Sequence, residues 1–202
     1  KVQLLKKVPI IVGGSGLYLN AAINGLVPIP RLKEEIKTKS LLKFNEIGID
    51  NFRELNSNID PLFVKKNNDT QRLLRAYAVF LQTKKNMSFW YKKSREGAVN
   101  KKIYSFLVNL ERKLIDKRCD LRFDEMMNKG ALNEVKKLYD LNINRSLPIA
   151  KSLGVKWLLT YLDKKISYED AVRLSKRDTR RYVKRQLTWF RHNFKPDLIL
   201  SI

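Results

Sequence analysis

Residues 8–26 read VPIIVGGSGLYLNAAINGL, and this stretch decides the fold class that the sequence predicts. Val8–Val12 is a short apolar run with β-branched side chains, which is typical of a buried strand. A glycine-rich turn, GGSG, follows it, and the next ten residues are expected to form a helix. Two more strands are predicted, at Ile103–Leu110 and in the closing DLILSI. Few strands that are separated by helices indicate a parallel sheet, so we predict an α/β fold.

The stretch between the first two predicted strands is mainly helical. Two or three amphipathic helices are expected between Leu32 and Lys66, with a break at Asp60–Pro61. Another helix begins in NDTQRLLRA, where Asp69 or Thr70 is a suitable N-cap. Residues 84–102 are expected to form a loop.

The second half of the sequence is helical almost to its end. Gly130 is expected to stop one helix and Pro148 to start another. Ser167 and Asp170 resemble a capping box at the start of a long helix, which ends before Lys195–Pro196. The sequence therefore predicts a small sheet joined to a largely helical C-terminal half.

The net charge is a second strong signal. The 202 residues carry 42 Lys and Arg against 20 Asp and Glu, which gives a net charge of +22. So large an excess predicts attraction to a polyanion such as RNA, DNA or an anionic membrane surface. A general bias of composition toward Lys, Asn and Ile is the alternative for the lysines, but it leaves the clustered arginines near the end unexplained.

Composition disfavours several other classes of protein. Cys119 is the single cysteine, so no disulfide forms within the chain, and a reducing, cytoplasmic compartment is expected. His192 is the single histidine and has no cysteine pair beside it, so we expect no metal site. No apolar run approaches the ~18 residues of a membrane span, and no signal peptide is recognisable. We therefore expect no membrane partner.

The stretch Thr179–Phe194, TRRYVKRQLTWFRHNF, concentrates cations and aromatic rings. On a helix its apolar residues share the face that would pack on the core. These residues are Val183, Leu187, Phe190 and Phe194. A polar stripe lies on another side and consists of Arg177, Arg181, Lys184, Thr188 and Arg191. A solvated helix face and a membrane-surface helix are the alternatives. We favour contact with nucleic-acid phosphates, because Asp178 is almost the only acid that balances the stripe.

The glycine-rich turn is a candidate ligand site. In an open α/β sheet, ligands bind beyond the C-terminal ends of the strands, where a glycine-rich turn lets backbone N–H groups approach an anion. Ser15 places a hydroxyl where it can cap the helix or touch a substrate. A tight turn without a ligand is the alternative. The turn is not a Walker A loop, since no G-x-x-x-x-G-K-S/T sequence occurs in the chain.

The helix start in NDTQRLLRA is another candidate. Gln71, Arg72 and Arg75 fall within about one and a half helical turns, and such side chains read base edges and hold phosphates. An ordinary exposed helix start is the alternative.

RCDLRFDEMMNKG is a further candidate, because Arg118 and Arg122 share one face of a helix. Two guanidiniums at this spacing would clamp a diphosphate. Pairing with Asp120 or Glu125 is the alternative. Lys156, in LGVKW, is a weaker candidate for the same cleft.

The order of these sequences resembles the tRNA dimethylallyltransferases, also called the tRNA isopentenyl transferase family. The family pattern is a strand ending in GGTGLY, a helical insertion, ND-x-QR-x-x-RA, R-x-D-x-R-x-x-x-M-x-x-x-G, a GYK sequence and TR-x-YAKRQ-x-TW-x-R. The chain has GGSGLY, NDTQRLLRA, RCDLRFDEMMNKG, AKSLGVK and TRRYVKRQLTWFR in the same order. The resemblance extends from about Pro9 to Arg191, which is nearly the whole chain.

The resemblance implies a fold and a reaction. The fold is a P-loop-kinase-like parallel sheet, of the class that includes ATP-binding proteins, here partial and with a helical insertion. The enzymes move a dimethylallyl group from dimethylallyl diphosphate to N6 of the adenosine adjacent to the anticodon, in tRNAs that read UNN codons. The base is flipped out of the loop to reach the prenyl carbon. Cations and Mg²⁺ neutralise the leaving diphosphate in the complete enzyme, although no Mg²⁺ ligand is identifiable in this sequence.

The resemblance also implies a role for each candidate residue. Ser15 is the expected catalytic residue, in contact with the target nucleotide or the diphosphate, and Arg118 and Arg122 are expected to bind the diphosphate. The residues expected to contact the tRNA anticodon stem-loop are Lys37, Gln71, Arg72, Leu73, Leu74, Arg75, Arg180, Lys184, Arg185, Gln186, Leu187, Thr188 and Trp189. Residues 1–30 and 69–202 are expected to form the catalytic core, and residues 31–68 a helical insertion domain that contacts tRNA. We expect a monomer.

The sequence departs from the family pattern at three points. Ser15 replaces the usual Thr and keeps the hydroxyl, whereas Val155 replaces the usual Tyr, which is expected to loosen that pocket. In the family, the phosphate loop G-P-T-A/G-S-G-K-S/T and the acidic base in D-S-x-Q-x-Y precede the GGTGLY strand, and neither occurs in this sequence. We therefore expect this chain alone to be inactive and to expose apolar sheet edges.

The function keeps three interpretations open. The first is a dimethylallyltransferase of which this chain is a part. The second is a non-catalytic tRNA-binding remnant of a truncated transferase. The third is a basic RNA-binding module that binds all RNAs alike.

Overall fold

The structure, a computed structural model, describes residues 7–99 and 102–201. The chain divides into two compact units, one formed by residues 1–16 and 102–202 and the other by residues 17–101. The second unit is wider than the helical insertion predicted at residues 31–68, because the helix of NDTQRLLRA packs on the helix that begins the insertion. In the described ranges no helix has both the length and the apolar character that crossing a membrane requires.

The unit of residues 17–101 is built from helices, four of which contribute to one apolar core. Its first helix is α1 (Gly16–Asn24), which begins with the last residue of the other unit's first segment and has no buried residue. The four helices that contribute to the core are α2 (Glu34–Ile59), α3 (Pro61–Lys66), α4 (Thr70–Thr83) and α5 (Met87–Tyr91). Phe52 of α2 and Leu73 of α4 are fully buried at the centre of this core, where the two helices pack together. Gly48 bends α2, because its φ of +75° lies in the left-handed region that favours glycine.

Side-chain caps set the boundaries of three of these helices. Asp60, Asp69 and Asn86 each accept a hydrogen bond from the backbone N–H three residues later, over 2.9–3.1 Å. The predicted break at Asp60–Pro61 and the predicted cap at Asp69 are thus confirmed. The loop predicted at residues 84–102 instead contains α5, since Asn86 caps a short helix and Met87 is buried in the core with 3% of its surface exposed.

The other unit combines a two-stranded parallel sheet with helices. Its elements are β1 (Phe106–Asn109), α6 (Arg112–Asn128), α7 (Ala131–Asp140), a 3-10 turn (Pro148–Lys151), α8 (Val155–Leu162), α9 (Tyr168–Asn193) and β2 (Leu198–Ser201). β1 and β2 run in parallel, with Phe106 opposite Leu198. Helices α7, α8 and α9 enclose a core that includes Leu158 and Ala171. The predicted α/β class with a largely helical C-terminal half is confirmed.

The helix boundaries in this unit follow local chemistry. The Ser167 hydroxyl caps α9 by accepting a hydrogen bond from the Asp170 backbone N–H at 3.0 Å. Asp170 does not complete the capping box, because its carboxylate binds Arg173. Gly130, with φ +96°, separates α6 from α7 as predicted. Pro148 begins a 3-10 turn rather than the predicted helix, and α8 follows that turn.

The strand predicted at Val8–Val12 is not formed, and this corrects the sequence-based expectation. The segment has no regular secondary structure, and Val8 and Val12 are 85% and 90% exposed. Strand propensity alone does not form a strand, because the backbone groups need a neighbouring strand to bind. β1, which the apolar run Ile103–Leu110 predicts as a buried strand, is also exposed, with Phe106 at 59%, and so is β2, with Ile199 at 55%. The expected exposure of apolar sheet residues is thereby confirmed.

Candidate nucleic-acid interface

Helix α9 carries the cations that the sequence singles out. From Arg181 onward, its exposed polar side chains are Arg181, Lys184, Arg185, Thr188, Arg191, His192 and Asn193. Asp178 neutralises the start of the stripe, since its Oδ1 lies 3.1 Å from Arg177 Nη2 and 3.8 Å from Arg181 Nη1. Lys184, Arg185 and Arg191 have no carboxylate within ion-pairing distance in the described part of the chain. The second half of the stripe is therefore free to bind an external anion.

The aromatic side of α9 is half-buried. The ring centroids of Trp189 and Phe190 lie 5.3 Å apart, those of Phe190 and Phe194 lie 5.5 Å apart, and both pairs are edge-to-face. The members of the predicted packing face, Val183, Leu187, Phe190 and Phe194, are half-buried, and none is fully buried. Their packing on a core stays a prediction. The fully buried residues of α9, Ala171 and Ser175, belong to its first turns.

The glycine turn contacts α9 within the same unit. Gln186 Nε2 donates a hydrogen bond to the Gly14 carbonyl oxygen at 2.9 Å. The Trp189 ring lies so close to Gly16 that a Cβ atom added there would overlap it. Ser15 lies between these two glycines and directly precedes α1. The structure therefore brings together three of the predicted site residues, Ser15, Gln186 and Trp189.

Ion pairs fasten α6 to α9. Arg180 Nη1 lies 2.5 Å from Asp120 Oδ1, and Lys176 Nζ lies 2.6 Å from Asp124 Oδ1. Arg112, itself paired with Asp116 of α6, donates to the Arg180 carbonyl oxygen at 2.9 Å. Arg180 therefore supports helix packing, and its predicted contact with tRNA stays a prediction.

Sequence reasoning missed this role of the acids of α6, although a signal for it was present. Asp116, Asp120 and Asp124 recur every four residues and so share one face of the helix, and Lys176 and Arg180 have the same spacing on α9. Matching spacings of opposite charge on two helices indicate that these faces pack together.

We expect the Asp120–Arg180 pair to contribute measurable coupling energy. The two side chains are 35% and 33% exposed, so solvent screening limits the coupling to about 1 kcal/mol. Urea unfolding of Asp120→Ala, Arg180→Ala and the double variant measures it. The exposed Asp170–Arg173 pair of α9 is the matched control, with an expected coupling of roughly 0.3 kcal/mol. Equal coupling in both cycles would show that the interhelical pair has no special role.

Arg118 and Arg122 are exposed on the side of α6 away from those acids. The alternative that they pair within the helix does not hold. Asp120 binds Arg180, and Glu125 lies 3.9 Å from Lys129. Both guanidiniums are therefore available to an anion, and their role as diphosphate ligands stays a prediction.

The surroundings of Cys119 disfavour its thiolate, which is the nucleophilic form of a cysteine. Burial raises the pKa of its thiol, and the negative charges of Asp116 and Asp120 raise it further. Arg112 and Arg122 lower the pKa without cancelling these effects.

Lys156 and Asp178 meet at Trp157. The Lys156 ammonium lies 4.4 Å from the centroid of the Trp157 ring, and the indole N–H donates to Asp178 Oδ2 at 2.7 Å. Burial raises the pKa of Asp178, but hydrogen bonds from Trp157 and Arg177 outweigh it, and the pKa lies below its ordinary value. The carboxylate thus stays charged and holds α8 on α9, while Val155 packs on the core there.

In the unit of residues 17–101, four predicted tRNA contacts are exposed polar side chains. Gln71, Arg72 and Arg75 stand in solvent in the first turns of α4. Lys37 Nζ lies 2.6 Å from Glu34 Oε1, in an exposed pair that costs little to open. These four side chains are accessible to an anion.

Leu73 requires a correction. Its side chain has no exposed surface and packs in the core of this unit, so it supports α4 and offers RNA no side chain. The helical period of NDTQRLLRA places it there, because it faces inward between Arg72 and Arg75. Leu74 is half-buried against the same core, and Leu187 of α9 is also half-buried.

The described residues form no site that would hold a Mg²⁺ ion by protein ligands alone. They contain no cluster of three or more His, Cys, Asp or Glu side chains. Three carboxylates of α6 close to the predicted diphosphate arginines in the chain, Asp116, Asp120 and Asp124, are already bound to Arg112, Arg180 and Lys176. No step of the reaction is therefore assigned to a metal held by this chain.

Comparison with known proteins agrees with the fold and the motifs. A family model described as IPP transferase matches residues 1–193. The tRNA dimethylallyltransferase of Rickettsia bellii is 36% identical over 198 residues, which cover 96% of this chain and 62% of the relative. The solved full-length tRNA isopentenylpyrophosphate transferase of Bacillus halodurans has a TM-score of 0.57 and 30% identity, covering 100% of this chain and 61% of that chain. A solved eukaryotic dimethylallyltransferase acting on tRNA has a TM-score of 0.71 and 25% identity, covering 94% of this chain and 48% of that chain.

Fold and comparisons together define the class of protein. The chain has the α/β fold of tRNA prenyltransferases, with a mostly helical body and a small parallel sheet. It belongs to the IPP transferase family. It spans 62% of the length of its Rickettsia bellii relative.

Proposed function

We propose that this chain acts in tRNA modification, in the transfer of a dimethylallyl group from dimethylallyl diphosphate to N6 of the adenosine adjacent to the anticodon in tRNAs reading UNN codons. The observation that carries the proposal is the cation stripe of α9, where Lys184, Arg185 and Arg191 are exposed and have no acidic partner among the described residues. The names of the relatives, tRNA dimethylallyltransferases, support the choice of reaction.

These three exposed cations of α9 suit an RNA backbone better than an isolated anion. Lys184, Arg185 and Arg191 extend over two turns of helix, about 10 Å, which exceeds the size of one phosphate. RNA places a phosphate every few ångströms along its strand, so several of these cations can bind one strand at once. The apolar residues of the predicted packing face, Val183, Leu187, Phe190 and Phe194, are half-buried, which disfavours a membrane surface as the partner.

The proposed chemistry uses the other candidate residues. The N6 nitrogen attacks the first carbon of the dimethylallyl group, the bond from that carbon to the diphosphate oxygen breaks, and N6 loses a proton. Arg118 and Arg122 are proposed to bind the departing diphosphate, and the Ser15 hydroxyl to contact the nucleotide or the diphosphate. Mg²⁺ is the proposed partner of the diphosphate, and no residue of this chain is assigned to the ion or to the acceptor of the proton.

Incubation of this chain with dimethylallyl diphosphate, Mg²⁺ and an unmodified anticodon stem-loop tests the proposal. Nucleoside mass spectrometry detects prenylated adenosine, and fluorescence anisotropy measures binding of the stem-loop. We expect binding without product, because the phosphate loop and the acidic base of the family pattern do not occur in this sequence.

Each outcome of this experiment decides between the interpretations. Product would show that this chain catalyses the transfer with the residues it has. Binding without product would show that this chain binds tRNA but does not catalyse the transfer by itself. Affinity no higher than for a hairpin of scrambled loop sequence would overturn tRNA specificity, and no binding at all would overturn the proposal. Size-exclusion chromatography checks the proposed monomer, and fractionation of cells the proposed cytoplasmic location.

A further inference from the structure

Two side chains in the tRNA-contact motif of α9 are directed at the chain itself. Gln186 and Trp189 are half-buried, whereas Lys184, Arg185 and Arg191 on the same helix are exposed. Gln186 donates to the Gly14 carbonyl oxygen at 2.9 Å, and the Trp189 ring covers Gly16. The motif is thus divided between side chains that face solvent and side chains that face the turn.

The turn needs such support from outside. Gly13, Gly14 and Gly16 have no side chains with which to pack, and glycine gives up more backbone freedom on ordering than any other residue. The hydrogen bond from Gln186 is the side-chain contact that joins Gly14 to α9 in the described residues. Ser15 lies between the two contacted glycines, so both contacts restrain the backbone that carries its hydroxyl.

The contact at Gly16 is specific for glycine because of Trp189. A Cβ atom at Gly16 would overlap the indole ring, whereas at Gly13 it would meet nothing within 4 Å. The flat ring therefore packs directly on the backbone at the first residue of α1. The contact between Trp189 and Gly16 can therefore be disturbed either by removing the Trp189 ring or by adding a methyl group at Gly16.

We propose that Gln186 and Trp189 are positioning residues that hold the Gly14–Gly16 turn, and with it the Ser15 hydroxyl, while the exposed cations of α9 hold the RNA. The use of Ser15 rests on the proposed function. The restraint on the turn does not, because it is a property of the folded chain without RNA.

¹⁵N relaxation of the glycines tests the restraint. The chain has eight glycines, so selective ¹⁵N-glycine labelling gives a spectrum simple enough to follow Gly14 and Gly16. Gln186→Met keeps the length of the side chain and removes the donor, and we expect the order parameters of these two amides to fall from about 0.85 to below about 0.6. His192→Ala, at the exposed end of the same helix, is the control and should leave the order parameters unchanged. Unchanged order parameters in Gln186→Met would overturn the proposal.

Stem-loop affinity separates positioning from RNA contact. We expect Gln186→Met to bind the stem-loop within about 2-fold of the unsubstituted chain, whereas Lys184→Ala weakens binding about 5-fold to 10-fold. An equal loss in both variants would assign Gln186 to the RNA instead. If neither chain binds RNA, the proposed function fails, and the relaxation experiment still decides whether Gln186 restrains the turn.

A second pair of variants tests Trp189. Gly16→Ala is expected to lower the urea midpoint, because the methyl group displaces the ring. In a Trp189→Ala background the same change should leave the midpoint unchanged or raise it, since the space is open and Ala favours a helix over Gly. The same shift in both backgrounds would overturn the contact between Gly16 and Trp189.

Discussion

Replacing Lys184, Arg185 and Arg191 together by alanine is expected to weaken binding of an anticodon stem-loop by about two orders of magnitude at roughly 0.1 M salt, or about 2.7 kcal/mol. The three side chains are exposed and have no carboxylate partner in the described part of the chain, so each is free to replace a counterion on a phosphate. Removing each of these cations also removes the salt-dependent share of the affinity that it supplies. The slope of log affinity against log salt should therefore fall by roughly 2 to 3.

The matched control removes the same charge elsewhere in the same unit. Lys129, Lys136 and Lys137 are exposed lysines outside α9, and their triple alanine variant has the same net charge as the α9 variant. Anisotropy titrations at several salt concentrations compare the two. An equal loss from both would mean that the net charge of +22, and not α9, attracts RNA.

A hairpin with a scrambled loop separates tRNA recognition from general RNA binding. If the α9 triple variant loses affinity for the anticodon stem-loop alone, the helix reads that loop. If both RNAs are weakened alike, a basic RNA-binding module is the better description of the chain.

Phe52→Ala is expected to destabilise the unit of residues 17–101 by about 3–5 kcal/mol. Phe52 has no exposed surface, and its ring makes edge-to-face contacts with Phe44 and Tyr77 at centroid distances of 5.4 and 5.3 Å. Truncation removes both ring pairs and leaves a cavity between α2 and α4. Because a small domain has only about 5–15 kcal/mol of stability, the loss is a large share of the total.

Urea unfolding followed by circular dichroism measures this loss, and amide exchange in α4 locates it. Phe52→Leu retains most of the apolar volume and is expected to cost less than half as much. Leu62→Ala, at a side chain that is 64% exposed, serves as the surface control and should cost less than about 0.5 kcal/mol. A cost below about 1 kcal/mol for Phe52→Ala would contradict the placement of Phe52 at the centre of the core.

Features of the fold with a local cause were predictable from the sequence. The caps at Asp69 and Ser167 depend on a side chain and a backbone N–H three residues apart, and both are present. The parallel pairing of β1 with β2 followed from the helices between the strands. The strand expected at Val8–Val12 was wrong because pairing, unlike a cap, requires a partner that is distant in sequence.

The arrangement of the candidate site was less predictable. Motifs identified Ser15, Gln186 and Arg180, but not what these side chains touch. Gln186 meets Gly14 across 172 residues, and Arg180 meets Asp120 across 60. Such contacts depend on how helices pack, and the period within one helix does not contain that information. The helical period of NDTQRLLRA does predict that Leu73 is buried. Assigning a tRNA contact to every residue of the motif overlooks this.

The acids of α6 and the cations of α9 that pair with them recur every four residues along their helices. More than one alignment of the two helices would therefore form ion pairs. A slip of α6 by one turn, about 5.4 Å, would place Asp116 opposite Arg180 and Asp120 opposite Lys176, so two ion pairs would survive. The ion pairs alone therefore do not determine how α6 is aligned along α9, and another contact must do so. Phe123 is 4% exposed and packs on Gly154, where a Cβ would stand 3.0 Å from its ring. The contact of Phe123 with Gly154 and the hydrogen bond from Arg112 to the Arg180 carbonyl oxygen do not recur along the helices, so they favour the native alignment over a slipped one.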